Sequence, residues 1–318
     1  MRCRLASRAL ALCTMGLSLF ACAPEPPPLS AAADPGAARR VWQPNEPPRA
    51  VVLALHGFND YSNAFAEFGD YAAMQGVAVH AYDQRGFGAN PDAGFWPGTG
   101  VMVADLRREV ERLRELYPEV PLYLLGESMG GAVVIAAAAI GGPLHVTGTI
   151  LSAPAVWGGE QLNPLYRATL WLAVNVVPNL RLTGSSLEIM PSDNIQMLRA
   201  LSADPLVIQG TRVGAIAGLV ALMDIASRRA DLLPGPLLVL GGERDEIVPP
   251  PAHVAMLERL TADPCTEITY PEGYHMLLRD LQRQVVWDDV LAWIAGMPPP
   301  SQLDNPCGVD LRSVAASL

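Results

Sequence analysis

The sequence predicts an α/β domain with a mostly parallel central sheet, helices on both of its faces and a helical cap. The first observation is that short apolar segments alternate with helical segments over residues 49–155 and again over residues 232–296. The second is that this alternation lapses over residues 156–231, which show helices and loops but no clear strand. At 318 residues, half of them hydrophobic, the chain can bury one large core. We therefore expect one domain whose cap lies over the ends of the strands.

The individual elements follow from apolar runs, helical spacing and stop signals. Pro118 ends the second helix because proline lacks an amide N–H and clashes with the preceding turn. In the first core segment the expected strands are 50–55, 77–82, 122–125 and 146–151, and the expected helices are 63–75, 99–117 and 129–140. In the second core segment the expected strands are 236–240 and 266–270, and the expected helices are 251–260 and 285–294.

The first 22 residues have the order of a secretory signal. Arg2, Arg4 and Arg8 precede an uncharged run over residues 9–21, which is shorter than the roughly 20 apolar residues that span a bilayer. The run ends in Leu-Phe-Ala-Cys, which resembles the lipobox whose cysteine, here Cys22, is acylated in bacterial lipoproteins. A cleaved signal with a chance cysteine and an uncleaved anchor are the alternatives. We expect an exported protein, lipid-anchored to a membrane of the cell envelope or else secreted or periplasmic.

Two proline-rich segments, neither expected to bury a core of its own, flank the domain in the sequence. Residues 23–48 are rich in proline and alanine and predict a linker, which can include a first strand near residues 40–43. Residues 297–318 form a second proline-rich stretch and predict a C-terminal tail. In an oxidising compartment Cys265 and Cys307 either pair and pin this tail or remain two separate thiols.

Charge and motifs restrict the classes of partner and cofactor. The formal net charge is −10 and the acidic residues are spread along the chain. This argues against a nucleic-acid partner, because phosphate contacts require a clustered basic surface. The sequence contains no H-E-x-x-H and no paired C-x-x-C motif, so we predict neither a metal nor a cofactor.

The strongest chemical signal is the motif Gly126-Glu127-Ser128-Met129-Gly130, a G-x-S-x-G sequence with a strand before it and a helix after it. A sharp turn between strand and helix exposes the serine hydroxyl above the sheet, and small flanking residues let neighbouring elements come close. The helix N-terminus that follows favours developing negative charge. Ser128 is therefore the candidate nucleophile.

A serine nucleophile needs a base, and the chain has five histidines. His275 follows the last expected strand, at the edge of the sheet where active sites of open α/β folds form. The others are interpreted as structural or solvated: His56 shapes the loop that carries an oxyanion donor, His80 lies within a strand, His145 in a Gly-Pro turn and His253 on an exposed helix. His275 is the candidate base.

The base needs a carboxylate that orients its imidazole ring. Asp245 lies in a loop just after the strand at 236–240, and its neighbours Glu243 and Glu246 compete for the role. A charged surface turn would account equally for this stretch. The chain order of serine, acid and histidine matches the order used by G-x-S-x-G enzymes of this fold class.

Other expected site residues surround the nucleophile. The backbone N–H groups of Phe58 and Met129 are the candidate donors to the oxyanion of a tetrahedral intermediate. Trp157, Trp171 and Leu219 in the cap suggest an acyl-chain pocket, or else the buried face that a cap needs to pack on the core.

The chain contains six segments that resemble, in sequence and in order, those of a known enzyme family: LALHGFNDYS, AYDQRGFGAN, LLGESMGGAV, SAPAV, LVLGGERDEIVPP and YPEGYHMLL. Over residues 41–296 the sequence resembles the α/β-hydrolase superfamily, and within it the monoglyceride-lipase and lysophospholipase-like serine hydrolases of the serine aminopeptidase S33 type. The resemblance implies the α/β-hydrolase fold with a helical cap. It also implies a triad of Ser128, Asp245 and His275, with oxyanion donors at Phe58 and Met129.

The residues and the resemblance together predict a carboxylic ester hydrolase, most simply a monoacylglycerol lipase or lysophospholipase-like esterase. Its expected partners are a small ester or lipid substrate and the membrane. An aminopeptidase or a cofactor-free haloperoxidase is the alternative, and an aminopeptidase would hold the substrate amine with an acid of the cap. The candidates for that acid are Glu160, Glu188 and Asp193. A noncatalytic binding lipoprotein is disfavoured, because every element of a triad is present.

Overall fold

A computed structural model describes residues 38–142, 144–158, 162–183 and 189–307. The signal-like segment with Cys22, most of the linker and the end of the tail lie outside the described residues, as do Glu160 and Glu188. In chain order the described strands are β1 (Arg39–Trp42), β2 (Ala50–Leu55), β3 (Val77–Tyr82), β4 (Leu122–Glu127), β5 (Gly148–Ser152), β6 (Arg181–Leu182), β7 (Thr211–Arg212), β8 (Leu237–Gly242), β9 (Cys265–Tyr270) and β10 (Asp304–Pro306).

Eight of these strands form one sheet in the order β1-β3-β2-β4-β5-β8-β9-β10. The strands from β3 to β9 in this order run parallel, whereas the edge strands β1 and β10 are antiparallel to their neighbours. Every residue of β2, β3, β4 and β5 is buried. Strands buried on both faces carry near-continuous apolar runs, and these runs located the strands in the sequence.

The described helices are α1 (Ala66–Met74), α2 (Thr99–Leu116), α3 (Met129–Ala139), α4 (Pro164–Val176), α5 (Ile195–Ala203), α6 (Val213–Arg229), α7 (Pro250–Leu257) and α8 (Arg283–Ile294). Alternate residues of β2 enter two separate hydrophobic clusters, since successive side chains of a strand point to opposite faces. One cluster includes side chains of α2, α3, α6 and α7, and the other includes side chains of α1 and α8. The sheet therefore has helices on both faces, as the sequence predicts.

Three features of the fold differ from the sequence expectations. The cap segment contains a two-stranded ladder of β6 and β7, where no strand was expected, because two-residue strands are too short to show a period. The strand β5 begins at Gly148 instead of residue 146. The tail supplies an unexpected edge strand, β10, which pairs with β9. A disulfide joins Cys265 to Cys307 beside that pairing, which agrees with the first of the two alternatives that the sequence left open. None of the helices within the described ranges combines the length and apolar character needed to cross a bilayer.

Candidate active site

The turn between β4 and α3 has the geometry that exposes a serine. Ser128 has a φ of +52°, a left-handed conformation that side-chain-bearing residues rarely adopt. A Cβ atom on Gly130 would lie 2.1 Å from the carbonyl oxygen of Leu55, and one on Gly126 would lie 2.6 Å from the Cα of Gly131. The two glycines of the motif are therefore required for neighbouring backbone to approach the turn.

Three expected residues meet above the carboxyl ends of the strands. The Ser128 Oγ lies 2.9 Å from the Nε2 of His275, and the Nδ1 of His275 lies 2.8 Å from the Oδ2 of Asp245. The other Asp245 oxygen accepts backbone N–H groups from Ile247 at 2.8 Å and Val248 at 2.9 Å. The carboxylate is thereby fixed, with one oxygen left for the imidazole. This arrangement can pass the hydroxyl proton of a serine to an oriented imidazole.

The structure distinguishes Asp245 from its competing acids. Glu243 and Glu246 are exposed to solvent on the same loop, whereas Asp245 is buried. Glu246 accepts a backbone N–H from Met190 at 2.8 Å, so its carboxylate faces the cap. These three acids differ in the burial and the orientation of their side chains, and the sequence reveals neither property.

His56 supports the loop that carries Phe58. Its Nδ1–H donates to the Gly57 carbonyl at 2.8 Å, and its Nε2 accepts the Gln84 backbone N–H at 3.0 Å. Complete burial lowers the pKa of His56, although its hydrogen bond to Gly57 opposes this shift. The ring is a neutral structural group, which agrees with the interpretation from sequence.

The other histidines lie away from Ser128. His80 is buried in β3 with its Nε2 3.2 Å from the Tyr117 hydroxyl, and burial lowers its pKa to about 4. His145 is exposed. The expectation of an exposed helix for His253 is wrong, since its side chain is 14% exposed and burial lowers its pKa to about 4. The helix α7 turns this residue toward β8 and β9, where its Nε2 lies 3.9 Å from a Glu267 oxygen.

Two backbone N–H groups are available beside the serine. Met129 is the first residue of α3, so its N–H has no acceptor within the helix. The N–H of Phe58 donates to no other group within the described ranges. A Cβ atom on Gly57 would lie 3.4 Å from the Ser128 Cβ, which shows how closely the Phe58 loop approaches the nucleophile. Both expected oxyanion donors are therefore adjacent to Ser128.

A pocket of about 160 Å³ opens at Ser128 and His275. Of the expected cap residues, Trp157 and Leu219 line it and Trp171 does not. Trp171 is 62% exposed on α4 and borders a separate, larger groove between α4 and α6. The apolar lining of the pocket consists of Phe58, Ala155, Trp157, Leu219, Met223, Ile247, Val248 and Met276.

A buried ion cluster forms the polar wall of this pocket, and sequence reasoning missed two of its three members. Arg279 lies between Asp60, at 2.7 Å, and Glu127, at 3.2 Å. Burial alone would lower the pKa of Arg279, but the two carboxylates outweigh it and raise that pKa. The one signal in the sequence was the charged Glu127 inside an apolar run, and its partners are distant in the chain.

Of the three acids expected to bind a peptide amine, the structure describes Asp193. Asp193 accepts the Leu281 backbone N–H at 2.8 Å and does not line the pocket. Glu160 and Glu188 lie outside the described residues. Within the described ranges, no three His, Cys, Asp or Glu side chains cluster in a way that could hold a metal ion.

Comparisons with known proteins agree with this geometry. Residues 46–282 match the family described as serine aminopeptidase, S33. The monoacylglycerol lipase of Mycolicibacterium smegmatis is 29% identical over 262 residues, which cover 80% of this chain and 91% of that protein. The human monoglyceride lipase is 26% identical over 261 residues, covering 80% of this chain and 86% of that protein.

Solved structures show the same fold. The monoacylglycerol lipase of Paleococcus ferrophilus aligns with a TM-score of 0.70 and 22% identity, over 81% of this chain and 98% of that chain. A soluble variant of the Saccharomyces cerevisiae monoglyceride lipase, in complex with a substrate analog, aligns with a TM-score of 0.70 and 19% identity, over 81% and 91%. The fold class is confirmed, and the chain is an ester-hydrolysing serine hydrolase. It belongs to the serine aminopeptidase S33 family of α/β-hydrolases.

Proposed function

We propose that this enzyme hydrolyses lipid esters that carry a single acyl chain, monoacylglycerols first and lysophospholipids second. The proposal rests on the two contacts of His275, at 2.9 Å from its Nε2 to the Ser128 Oγ and at 2.8 Å from its Nδ1 to the Asp245 Oδ2. Ser128 and His275 both line a mainly apolar pocket. The similarity to monoacylglycerol and monoglyceride lipases over 80% of the chain supports the choice of substrate.

The first half of the reaction forms an acyl-enzyme. The Ser128 hydroxyl attacks the ester carbonyl carbon while the Nε2 of His275 takes its proton. Asp245 accepts the Nδ1–H, which fixes the tautomer and stabilises the imidazolium. The imidazolium then protonates the leaving alcohol oxygen as the carbon–oxygen bond breaks, so glycerol departs and the acyl group stays on Ser128.

The second half releases the fatty acid. Water enters the place that the alcohol left, His275 takes one of its protons, and the resulting hydroxide attacks the acyl carbon. The Ser128 oxygen leaves and regains its proton from His275. In both halves the backbone N–H groups of Phe58 and Met129 stabilise the tetrahedral oxyanion, each by roughly 3 kcal/mol.

The pocket favours one slender chain. Its volume of about 160 Å³ is smaller than the roughly 300–1,000 Å³ that pockets for drug-sized ligands provide. Apolar side chains such as Trp157, Leu219 and Met223 suit methylene groups, whose burial is favourable by about 0.8 kcal/mol each. Within the described residues, a second or third acyl chain would need more space than this pocket offers beside Ser128, so we expect hydrolysis to fall from mono- to triacylglycerol.

We further propose that the enzyme works at a lipid surface, anchored through Cys22. The arginine-then-apolar order of residues 1–22 supports export, and the disulfide between Cys265 and Cys307 suits an oxidising compartment. Mass spectrometry of the mature N-terminus should find a diacylated Cys22. An unmodified mature N-terminus that begins at another residue would contradict the anchor.

Substrate profiling of the purified chain tests the proposed function. The assays compare monoacylglycerols, lysophospholipids, triacylglycerols, p-nitrophenyl esters and aminoacyl p-nitroanilides, with labelling by a fluorophosphonate that reacts with activated serines. We expect monoacylglycerol hydrolysis and labelling, both lost in Ser128→Ala. Cleavage of the anilides alone would establish a peptidase instead. A wild-type chain that is neither labelled nor active would identify a binding protein.

A further inference from the structure

One segment of the cap contacts both loops that carry the partners of Ser128. This segment, residues 190–194, is called the cap strap here. At its start the Met190 N–H donates to the Glu246 carboxylate at 2.8 Å, next to Asp245. At its end the Asn194 side-chain amide donates to the Arg279 carbonyl at 3.0 Å, on the loop that follows His275.

The cap strap holds the peptide backbone on both sides of the histidine. The Met276 N–H donates to the Pro191 carbonyl at 3.0 Å. The Tyr274 N–H donates to the Asp280 Oδ2 at 2.8 Å, and the Asp280 Oδ1 accepts the Ser192 hydroxyl at 2.6 Å. The residue before His275 is thus linked to the cap strap through Asp280, and the residue after it is linked directly.

The Ser192–Asp280 pair is fully buried, both residues being 0% exposed. The nearby charges are Glu127 on β4, Asp193 in the cap strap, and Arg279 and Arg283 beside Asp280. Burial raises the pKa of Asp280 to about 6, so near neutral pH it is a carboxylate and accepts both hydrogen bonds. Since its two oxygens accept from different segments, loss of either donor breaks the link from the cap strap to Tyr274.

We propose that Ser192 and Asp280 are positioning residues, through which the cap strap holds His275 in line between Ser128 and Asp245. The inference rests on the proposed function, because it assigns His275 the role of base. The Ser128–His275 contact of 2.9 Å is at hydrogen-bond distance, and a displacement of about 1 Å in such a contact can cost as much as 100-fold in rate. The cap therefore shapes the catalytic step as well as the pocket.

The test compares Ser192→Ala with Ser192→Thr and a matched control, Ser202→Ala. Ser202 is an exposed cap serine whose hydroxyl donates to the Arg199 carbonyl at 2.8 Å. The measurements are kcat and KM on p-nitrophenyl butyrate, and the rate and final extent of fluorophosphonate labelling. We expect Ser192→Ala to lower kcat and the labelling rate about tenfold, with KM within about twofold and full final labelling. Threonine at 192 should restore most of the rate, and Ser202→Ala should match wild type.

Other outcomes overturn the inference. Wild-type kcat and labelling rate in Ser192→Ala would overturn the inference. A change in this variant that is confined to KM or to the final extent of labelling would overturn it as well. If Ser192→Ala does not fold, Ser192→Cys replaces it, because the thiol keeps the volume but donates weakly. An unchanged kcat in that variant overturns the inference in the same way. A wild-type chain without hydrolysis or labelling overturns the proposed function and this inference with it, whereas an active wild type with an unaffected variant overturns the inference alone.

Discussion

Asp245 is distinguished from its neighbours by the way its two oxygens are used. One accepts the His275 Nδ1–H, and the other accepts the N–H groups of Ile247 and Val248, which close the loop around it. A carboxylate held in this way cannot turn away from the imidazole without losing two hydrogen bonds. The longer side chain of Glu246 reaches the cap strap instead.

Replacing Asp245 with asparagine should lower kcat about 10⁴-fold. The amide would present a donor to the Nδ1 of His275 and favour the tautomer that cannot take the serine proton. Steady-state kinetics on a soluble p-nitrophenyl ester measures the effect. Glu243→Gln, an exposed acid on the same loop, is the matched control and should retain wild-type kcat. Equal losses in the two variants would contradict the assignment of the acid.

Gly130 is a position where one methyl group should unfold the turn. Its Cβ would lie 2.1 Å from the Leu55 carbonyl oxygen, a contact that backbone cannot relieve cheaply. Gly130→Ala should therefore lower the free energy of unfolding by at least about 2 kcal/mol, as overpacking does. Gly100→Ala is the control, because a Cβ there meets nothing within 4 Å in α2. That change should be neutral or stabilise by up to about 1 kcal/mol. Urea unfolding curves compare the two, and similar values would refute the steric argument.

At the scale of elements, a single arginine joins three loops of the site. Arg279 follows His275, Asp60 follows the oxyanion donor Phe58, and Glu127 precedes Ser128. The charged residue inside the apolar β4 run is thereby explained. Glu127 is buried with its charge paired, and the pairing holds the turn between β4 and α3 against the loop that follows His275.

Arg279→Met should lower the free energy of unfolding by about 3–5 kcal/mol, because it leaves two buried carboxylates without a counter-charge. Adding Glu127→Gln and Asp60→Asn to the same chain should recover part of this loss, since the uncompensated charges are then removed. Arg244→Met is the matched control at an exposed pair with Glu272, where solvent screens the charges and the free energy of unfolding should hardly change. A loss in Arg279→Met no greater than in this control would show that the cluster is not coupled.

The features that could be predicted from the sequence are those encoded by a short, continuous stretch of residues. The strands β2, β3 and β4 were found because double-sided burial leaves an unbroken apolar run, and Ser128 because strand, motif and helix are contiguous. The burial of His253 and the choice of Asp245 over Glu243 depend on which way a turn faces, which no local period encodes. The contacts of Arg279 and of the cap strap join residues that are far apart in the chain, such as Asp60 and Arg279, so they emerge only from the assembled fold.

At the scale of the whole molecule, buried neutral histidines should make the protein acid-labile: His56, described above, is one, and His80 and His253 are two more. Burial lowers the pKa of His80 and of His253 from 6.5 to about 4. Below pH 6.5 the unfolded chain binds protons that the folded chain does not, so the free energy of unfolding falls as pH drops from 6.5 to 4. At His80 and at His253 this effect can lower the free energy of unfolding by on the order of 3 kcal/mol each. The raised pKa of Asp280 acts in the opposite direction between pH 6 and 3.8.

Urea unfolding at several pH values tests this prediction. His253→Gln removes one of these histidines, so the stability of the variant should depend less on pH between 6.5 and 4 than that of wild type. His145→Gln, at an exposed position, should show the wild-type dependence. Parallel curves for wild type and His253→Gln would show that His253 is not kept neutral by the fold.

The disulfide between Cys265 and Cys307 should stabilise the folded chain by restricting the unfolded one. It closes a loop with a sequence separation of 42 residues, for which the chain-entropy relation gives about 4 kcal/mol at 25 °C. It also fastens β10 to β9, the last pairing at that edge of the sheet. Replacing both cysteines with serine should therefore lower the unfolding midpoint in urea, while kcat on a soluble ester stays near wild type because the edge lies away from Ser128. Treatment of wild type with a thiol reductant should reproduce the loss and leave the double variant unchanged. A midpoint unaffected by both changes would contradict the prediction that the disulfide stabilises the folded chain.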